Sequence, residues 1–109
     1  MNAENPSEIL ERLFTVIEGR KGGDADTSYT AKLLAGGPKK IGKKISEEAA
    51  EVTIAALAEG QDAVTRESAD LLYHLLVMWA AMGVRPEDVY AERGKREGTS
   101  GIAEKNSRK

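Results

Sequence analysis

The sequence predicts an all-α fold, a helical bundle that is completed by homodimerisation. Apolar residues recur at intervals of three and four through most of the 109-residue chain, which is the spacing of amphipathic helices. Capping residues and glycines stand at the ends of these stretches, and no alternation of apolar and polar residues is long enough for a sheet. The length fits a single domain over residues 1–109, with a flexible loop at 20–27 and a flexible tail at 98–109.

The first helix is predicted from Pro6 to Glu18. Asn5 is a favourable N-cap, and proline is favoured at the first helical position. Gly19 ends the helix, and the polar, glycine-rich loop at 20–27 follows. The apolar stripe of this helix consists of Ile9, Leu10, Leu13, Phe14 and Ile17.

The next segment predicts a short helix and then a long one. Ser28 is expected to cap a short helix that ends at Gly36, and the long second helix runs from Pro38 to Glu59, before Gly60. On a helical wheel, five residues of the long helix fall within about 80° of each other and form its predicted apolar face. They are Ile41, Ile45, Ala49, Val52 and Ala56.

The third helix is the most apolar part of the chain. It is predicted to begin after Asp62 as N-cap and to end at Met82, and from Leu71 onward it is apolar almost all round. A fourth, shorter helix follows Pro86, while the residues from Gly94 onward show no helical or strand period. Four helices are too few to cover the third one, so homodimerisation through this helix is the simplest solution.

Composition and charge exclude several classes of protein. The absence of cysteine excludes disulfides, zinc–thiolate sites and thiol nucleophiles. No apolar run is long enough to span a bilayer and no signal segment precedes the first helix, so a cytoplasmic protein without a membrane partner is expected. A basic segment at 19–46 precedes an acidic one at 47–92, which suits a polyanionic ligand bridged by a metal ion better than nucleic acid.

Two acidic motifs lie on neighbouring predicted helices. The E-E-x-x-E and E-x-x-D motifs are formed by Glu47, Glu48, Glu51, Glu67 and Asp70. The short connection at 60–61 makes the two helices an antiparallel hairpin and brings the motifs towards each other. Clustered, half-buried carboxylates need a cation, and oxygen ligands select Mg²⁺ or Mn²⁺. From these residues alone, a solvated acidic face paired with lysines is as well supported as a metal site.

Longer segments resemble a known family. They are S-Y-T-A-K-L-L at 28–34, K-I-S-E-E-A-A-E at 44–51, D-L-L-Y-H-L-L at 70–76 and G-T-S-G-I-A-E-K-N-S-R at 98–108. Together they are similar to the phosphoribosyl-ATP pyrophosphatases of histidine biosynthesis, within the all-α NTP pyrophosphohydrolase (MazG-like) superfamily. Two positions depart from the family pattern. Ser46 stands where glycine is common, and Arg93-Gly94 stands where the family usually continues an apolar helix.

The resemblance implies hydrolysis of the α–β phosphoanhydride of phosphoribosyl-ATP, giving phosphoribosyl-AMP and pyrophosphate. The Mg²⁺ ligands that it implies are Glu48, Glu51, Glu67 and Asp70. Glu47 is the candidate to orient the attacking water. Lys40 and Lys44, one turn apart, are expected to bind phosphates. The tail residues expected to bind the second phosphate of the substrate are Ser100, Gly101, Lys105 and Arg108.

Other functions remain open at this point. A house-cleaning (d)NTP pyrophosphohydrolase would use the same acidic motifs but would prefer ordinary nucleotides. A di-iron carboxylate bundle requires two Glu-x-x-His motifs, whereas the chain has one histidine. A non-catalytic helical dimerisation module would leave the acids as surface residues. His74 itself is expected to be a core residue satisfied by a hydrogen bond.

Overall fold

The computed structural model describes residues 5–98, 101, 105 and 106, and helices make up most of them. The four α-helices are α1 (Ile9–Glu18), α2 (Tyr29–Ala58), α3 (Gln61–Met82) and α4 (Pro86–Lys95). The part of the chain that the structure describes contains no strand. The predicted all-α fold is confirmed.

The 3-10 turn that leads into α1 and the helix α2 both begin at the predicted capping residues. The Asn5 side chain accepts a hydrogen bond from the main-chain N–H of Ser7, and the 3-10 turn Pro6–Glu8 leads from there into α1. The Ser28 hydroxyl accepts one from the N–H of Ala31, 3.1 Å away, and caps α2. Both caps satisfy N–H groups that the first turn of a helix leaves without a partner.

The start of α3 differs from the prediction. The helix begins at Gln61, directly after Gly60, whose φ of 115° is open to glycine because it has no Cβ atom. No side chain caps this end, and Asp62 lies inside the first turn rather than before it. The prediction of Asp62 as N-cap is therefore wrong by two residues, although the negative charge of Asp62 still lies at the positive end of the helix dipole.

A break divides α2 into two helical segments. Gly37 has φ 79° and ψ 179°, far from helical values, and Pro38 follows it without an N–H to donate. The expected short helix up to Gly36 and long helix from Pro38 are thus both present within Tyr29–Ala58. The break changes the direction of the helix axis, and the first segment of α2 packs against the second half of α3.

The long segment of α2 and α3 pack as an antiparallel pair. Buried and half-buried residues of α2 are spaced alternately by four and three: Ile41, Ile45, Glu48, Val52 and Ala55. Ala49 and Ala56, which were predicted on the apolar face, are exposed. The wheel of an isolated helix assumes a period of 3.6 residues, whereas a long helix pair follows a seam with a period nearer 3.5. The seam moves the buried positions to Glu48 and Ala55.

One hydrophobic core lies where α1, α3 and both segments of α2 meet. Its buried members are Phe14, Ile17, Leu33, Ile41, Leu76, Val77 and Ala80. The Arg85 guanidinium lies 5.5 Å from the centre of the Phe14 ring and covers the end of this core. The chain itself therefore covers more of α3 than the sequence predicted. Large apolar side chains nevertheless remain exposed on the α2–α3 hairpin, among them Leu57 (84% exposed) and Leu72.

None of the helices in the described part of the chain is both long enough and apolar enough to cross a bilayer.

Candidate metal centre

Three carboxylates converge between α2 and α3. Glu48 lies on the inner face of α2, and Glu67 and Asp70 lie one turn apart on α3. Each can offer one oxygen to a single metal ion, and these oxygens all lie within 4.8 Å of one another. The antiparallel hairpin thus brings together three of the four predicted metal ligands, one of which occupies a position of the packing seam.

Glu48 is a nearly buried acid, with 8% of its surface exposed. Burial raises the pKa of its carboxyl above the ordinary value, and the negative charge of Glu51 raises it further. The opposing influences of His74 and Lys44 are smaller. These opposing influences do not offset the burial and the neighbouring acids, so a bound cation would stabilise the carboxylate.

The fourth predicted ligand, Glu51, lies beside this group on the exposed rim of α2. A hydrogen bond with Glu51 raises the pKa of the Glu67 carboxyl, and burial adds to the effect. The Oε1 atom of Glu67 is itself buried and has no hydrogen-bond partner. A buried acceptor without a donor is costly, so this oxygen is suited to bind a cation or a hydrogen-bond donor.

Two predicted residues pair with each other at the edge of the cluster. Lys44 Nζ lies 3.2 Å from Glu47 Oε1, and this hydrogen bond raises the pKa of Lys44. Glu47 is exposed and is outside the group of three converging carboxylates. Lys40 is exposed and packs its aliphatic stem over Gly36, one turn further from the acids. Lys44 is therefore the nearer of the two predicted phosphate-binding lysines.

His74 is buried, as predicted, and both ring nitrogens have partners. Nδ1 lies 2.8 Å from the main-chain oxygen of Asp70, and Nε2 lies 3.0 Å from the Tyr29 hydroxyl. The prediction of a core histidine satisfied by hydrogen bonds is confirmed. Its partner Tyr29 was not predicted, because 45 residues separate the two in the chain. The sequence pointed to Tyr29 only through the S-Y-T-A-K-L-L segment of the family resemblance, which does not reveal the role of this residue.

The tail residues are only partly covered by the structure. Gly101 and Lys105 are exposed, while Ser100 and Arg108 lie outside the described residues. Their assignment to a phosphate stays a prediction.

The helical fold and the paired acidic motifs define an all-α pyrophosphohydrolase with a candidate metal centre. Residues 10–97 match the family model of phosphoribosyl-ATP pyrophosphohydrolase. The phosphoribosyl-ATP pyrophosphatase of Paramagnetospirillum magneticum is 61% identical over 94% of this chain and 94% of its own length. The enzyme of Caulobacter vibrioides is 56% identical over 94% of this chain and 94% of its own length. The enzyme of Azospirillum brasilense is 52% identical over 93% of this chain and 91% of its own length. The chain belongs to the phosphoribosyl-ATP pyrophosphohydrolase family, as its motifs predicted.

Proposed function

We propose that this protein hydrolyses the α–β phosphoanhydride of phosphoribosyl-ATP, releasing phosphoribosyl-AMP and pyrophosphate in the second step of histidine biosynthesis. The observation that carries the proposal is the convergence of Glu48, Glu67 and Asp70 within 4.8 Å on facing helices. Family membership over residues 10–97 supports the choice of substrate. Cleavage of a triphosphate requires neutralisation of its charge, and this cluster can provide it through a cation.

The metal in this proposal is Mg²⁺, with Mn²⁺ as the alternative. Its ligands are Glu48, Glu51, Glu67 and Asp70. Two observations fit a hard divalent cation: the buried Glu67 Oε1 without a partner, and the burial of Glu48 among other acids. When bound, such an ion neutralises phosphate charge and lowers the pKa of a coordinated water.

The residues at the edge of the cluster have complementary proposed roles. Lys44 exchanges its bond to Glu47 for a phosphate oxygen, since its ammonium group is only half-buried and can turn. Glu47 is then released to accept a proton from the attacking water. Lys40 contacts a second phosphate oxygen from the neighbouring turn.

The tail completes the proposed substrate site. Phosphoribosyl-ATP carries a ribose phosphate that an ordinary nucleotide lacks, so the enzyme needs a second anion site. Hydroxyl, backbone and cationic donors for it are offered by Ser100, Gly101, Lys105 and Arg108.

The proposed assembly is a cytoplasmic homodimer that packs through α3, together with neighbouring apolar residues of α2. Leu57, Ile54 and Leu72 are exposed there, and a second copy would remove their apolar surface from water. Further association of dimers is compatible with this interface.

Product analysis tests the proposed function directly. Purified protein with Mg²⁺ is given phosphoribosyl-ATP, dATP or dCTP, and the Glu48→Gln variant serves as the inactive control. The expected result is phosphoribosyl-AMP and pyrophosphate in equal amounts, with slow turnover of the dNTPs. A preference for dATP or dCTP would instead identify a house-cleaning pyrophosphohydrolase. The absence of pyrophosphate from all three would leave a non-catalytic helical module.

A further inference from the structure

Tyr29 combines an exposed ring with a fixed position. About half of the residue (51%) is open to solvent, although it begins α2 and is tied to α3 at two points. Its hydroxyl lies 3.0 Å from His74 Nε2, and its ring stacks on that of Tyr73, with centroids 6.2 Å apart and planes at 21°. An exposed aromatic ring that is held in this way presents one preorganised face to solvent.

The hydrogen bonds of His74 determine how Tyr29 is held. A main-chain carbonyl can only accept, so Nδ1 of His74 donates its proton to the oxygen of Asp70. In the neutral imidazole, Nε2 is then the acceptor, and the Tyr29 hydroxyl donates to it. The hydroxyl of Tyr29 is therefore directed inward, and the ring, rather than the hydroxyl, is the part offered to a ligand.

The second ring of the stack is fixed as well. The Tyr73 hydroxyl is hydrogen-bonded to Thr30 Oγ1, which joins the start of α2 to α3 again. Tyr73 also contacts His74 edge-on, with centroids 4.9 Å apart. Hydrogen bonds hold both tyrosine side chains in place before a ligand binds. A base that stacks on Tyr29 therefore costs little additional side-chain entropy.

This platform borders the candidate metal centre. His74 follows Asp70 by four residues, about 6 Å along the helix axis, so its partner Tyr29 lies next to the acids rather than among them. Tyr29 is also one of the groups that raise the pKa of Lys44, so the two side chains are neighbours. A nucleotide holds its base and its α-phosphate on opposite sides of one ribose. A base is therefore expected beside a phosphate-binding centre, which is where the ring of Tyr29 lies.

We propose that the exposed face of Tyr29 is the platform on which the purine of the substrate stacks. This inference rests on the proposed function and assigns a binding residue to it. The other aromatic residues, all within the described part of the chain, do not offer such a face. Phe14 is buried, Tyr73 and Trp79 are half-buried, and Tyr90 is on α4, which packs against α1 rather than against the acidic hairpin.

Equilibrium binding of two probes tests the platform without requiring turnover. One probe is α,β-methylene-ATP, whose α–β linkage resists hydrolysis, and the other is inorganic tripolyphosphate, which has no base. Calorimetry with Mg²⁺ is carried out on the wild type, Tyr29→Leu, Tyr29→Trp and the matched control Tyr90→Leu. Loss of base stacking in Tyr29→Leu is expected to weaken binding of the nucleotide about 5- to 150-fold. Binding of tripolyphosphate should stay unchanged, and Tyr90→Leu should bind both probes like the wild type.

Three results would overturn the platform. The first is that the wild type binds both probes with equal affinity. The other two are that Tyr29→Leu loses the same factor of affinity for both probes, or that it keeps the wild-type affinity for the nucleotide. Tyr29→Trp keeps an aromatic face, so it should retain the preference for the nucleotide, and loss of that preference would also overturn the inference. If Tyr29→Leu fails to fold, the affinity of Tyr29→Trp for the two probes tests the inference by itself. Failure of the proposed function is seen separately, as the absence of phosphoribosyl-AMP in the wild-type product analysis.

Discussion

Glu51 on α2 and Glu67 on α3 bring their carboxyl groups close together across the hairpin, and Glu51 raises the pKa of Glu67. Two neighbouring carboxylates repel each other, so binding of a proton to one of them is favoured. A divalent cation would compensate the same negative charge in place of that proton. The metal-free and metal-bound proteins should therefore differ in both stability and proton content.

The first prediction concerns the four proposed ligands. Glu48→Gln, Glu51→Gln, Glu67→Gln and Asp70→Asn should each abolish Mg²⁺-dependent turnover and leave the fold intact. Each change keeps the side-chain shape but removes one charge from a repelling cluster, so stability without metal should hold or rise. Thermal unfolding with and without MgCl₂, together with turnover, checks both statements.

Glu59→Gln is the matched control, since Glu59 is an exposed acid at the end of the same helix. It should keep both turnover and the stabilisation by MgCl₂. Near wild-type rates in any two of the four ligand variants would place the metal elsewhere.

The second prediction concerns pH in the metal-free protein. Burial raises the pKa of Glu48 in the folded state above its ordinary value of 4.5, so the folded state binds this proton more tightly than the unfolded state. The contribution of Glu48 to the free energy of unfolding is therefore present at acid pH and is lost as the pH rises through the raised folded pKa. Urea unfolding in EDTA measures the free energy of unfolding of the wild type and of Glu48→Gln. The value for the wild type should fall relative to that for Glu48→Gln as the pH rises above about 4.5. Parallel stability curves for the two proteins would contradict it.

The long helices and their ends could be predicted from the sequence because their signals are local. Asn5, Ser28 and the Gly37–Pro38 pair each act within one or two turns, and each has its expected effect in the structure. Asp62 shows the limit of this approach, since an acid in the first turn and an N-cap produce the same sequence signal.

The part of the site that could be predicted from the sequence is the part whose residues follow helical spacing. Glu48, Glu67 and Asp70 converge because each motif lies on one face of its own helix and the connection is short. The burial of Glu48 in place of Ala49 depends on the seam between two helices, which a single-helix wheel does not contain. The bond between Tyr29 and His74 depends on how the broken α2 folds back along α3, and no local pattern encodes that contact.

The third prediction concerns assembly. Leu57→Glu or Leu72→Asp should convert the proposed homodimer to a folded monomer, because each places a charge in the interface while touching little within its own chain. Leu76→Asp should instead unfold the protein, since Leu76 is fully buried in its own core. Sedimentation and circular dichroism distinguish the two outcomes. The Val16→Asp variant should remain dimeric, since Val16 is an exposed apolar residue on α1, away from the proposed interface. A wild type that is monomeric at micromolar concentration would contradict the dimer.

The fourth prediction concerns Lys44. Lys44→Met keeps the apolar stem and removes the ammonium group, so it should lower kcat/KM for phosphoribosyl-ATP roughly 10- to 100-fold through loss of one charge-assisted phosphate contact. Lys43→Met, at an exposed neighbouring position, is the control and should change kcat/KM less than threefold or so. Steady-state kinetics on both variants make the comparison. Equal effects would mean that the basic segment acts only through its overall charge.

The last prediction separates phosphoribosyl-ATP from ordinary nucleotides through the tail. Truncation after Glu97 removes Ser100, Gly101, Lys105 and Arg108, the donors proposed for the second ribose phosphate. It should lower kcat/KM for phosphoribosyl-ATP roughly 10- to 1,000-fold, the effect of one or two lost charge-assisted contacts, and leave the slow hydrolysis of dNTPs nearly unchanged. Lys105→Ala and Arg108→Ala in the full chain should reproduce part of the loss, whereas Asn106→Ala should not. Equal loss of both activities on truncation would show that the tail supports the fold rather than binding the phosphate.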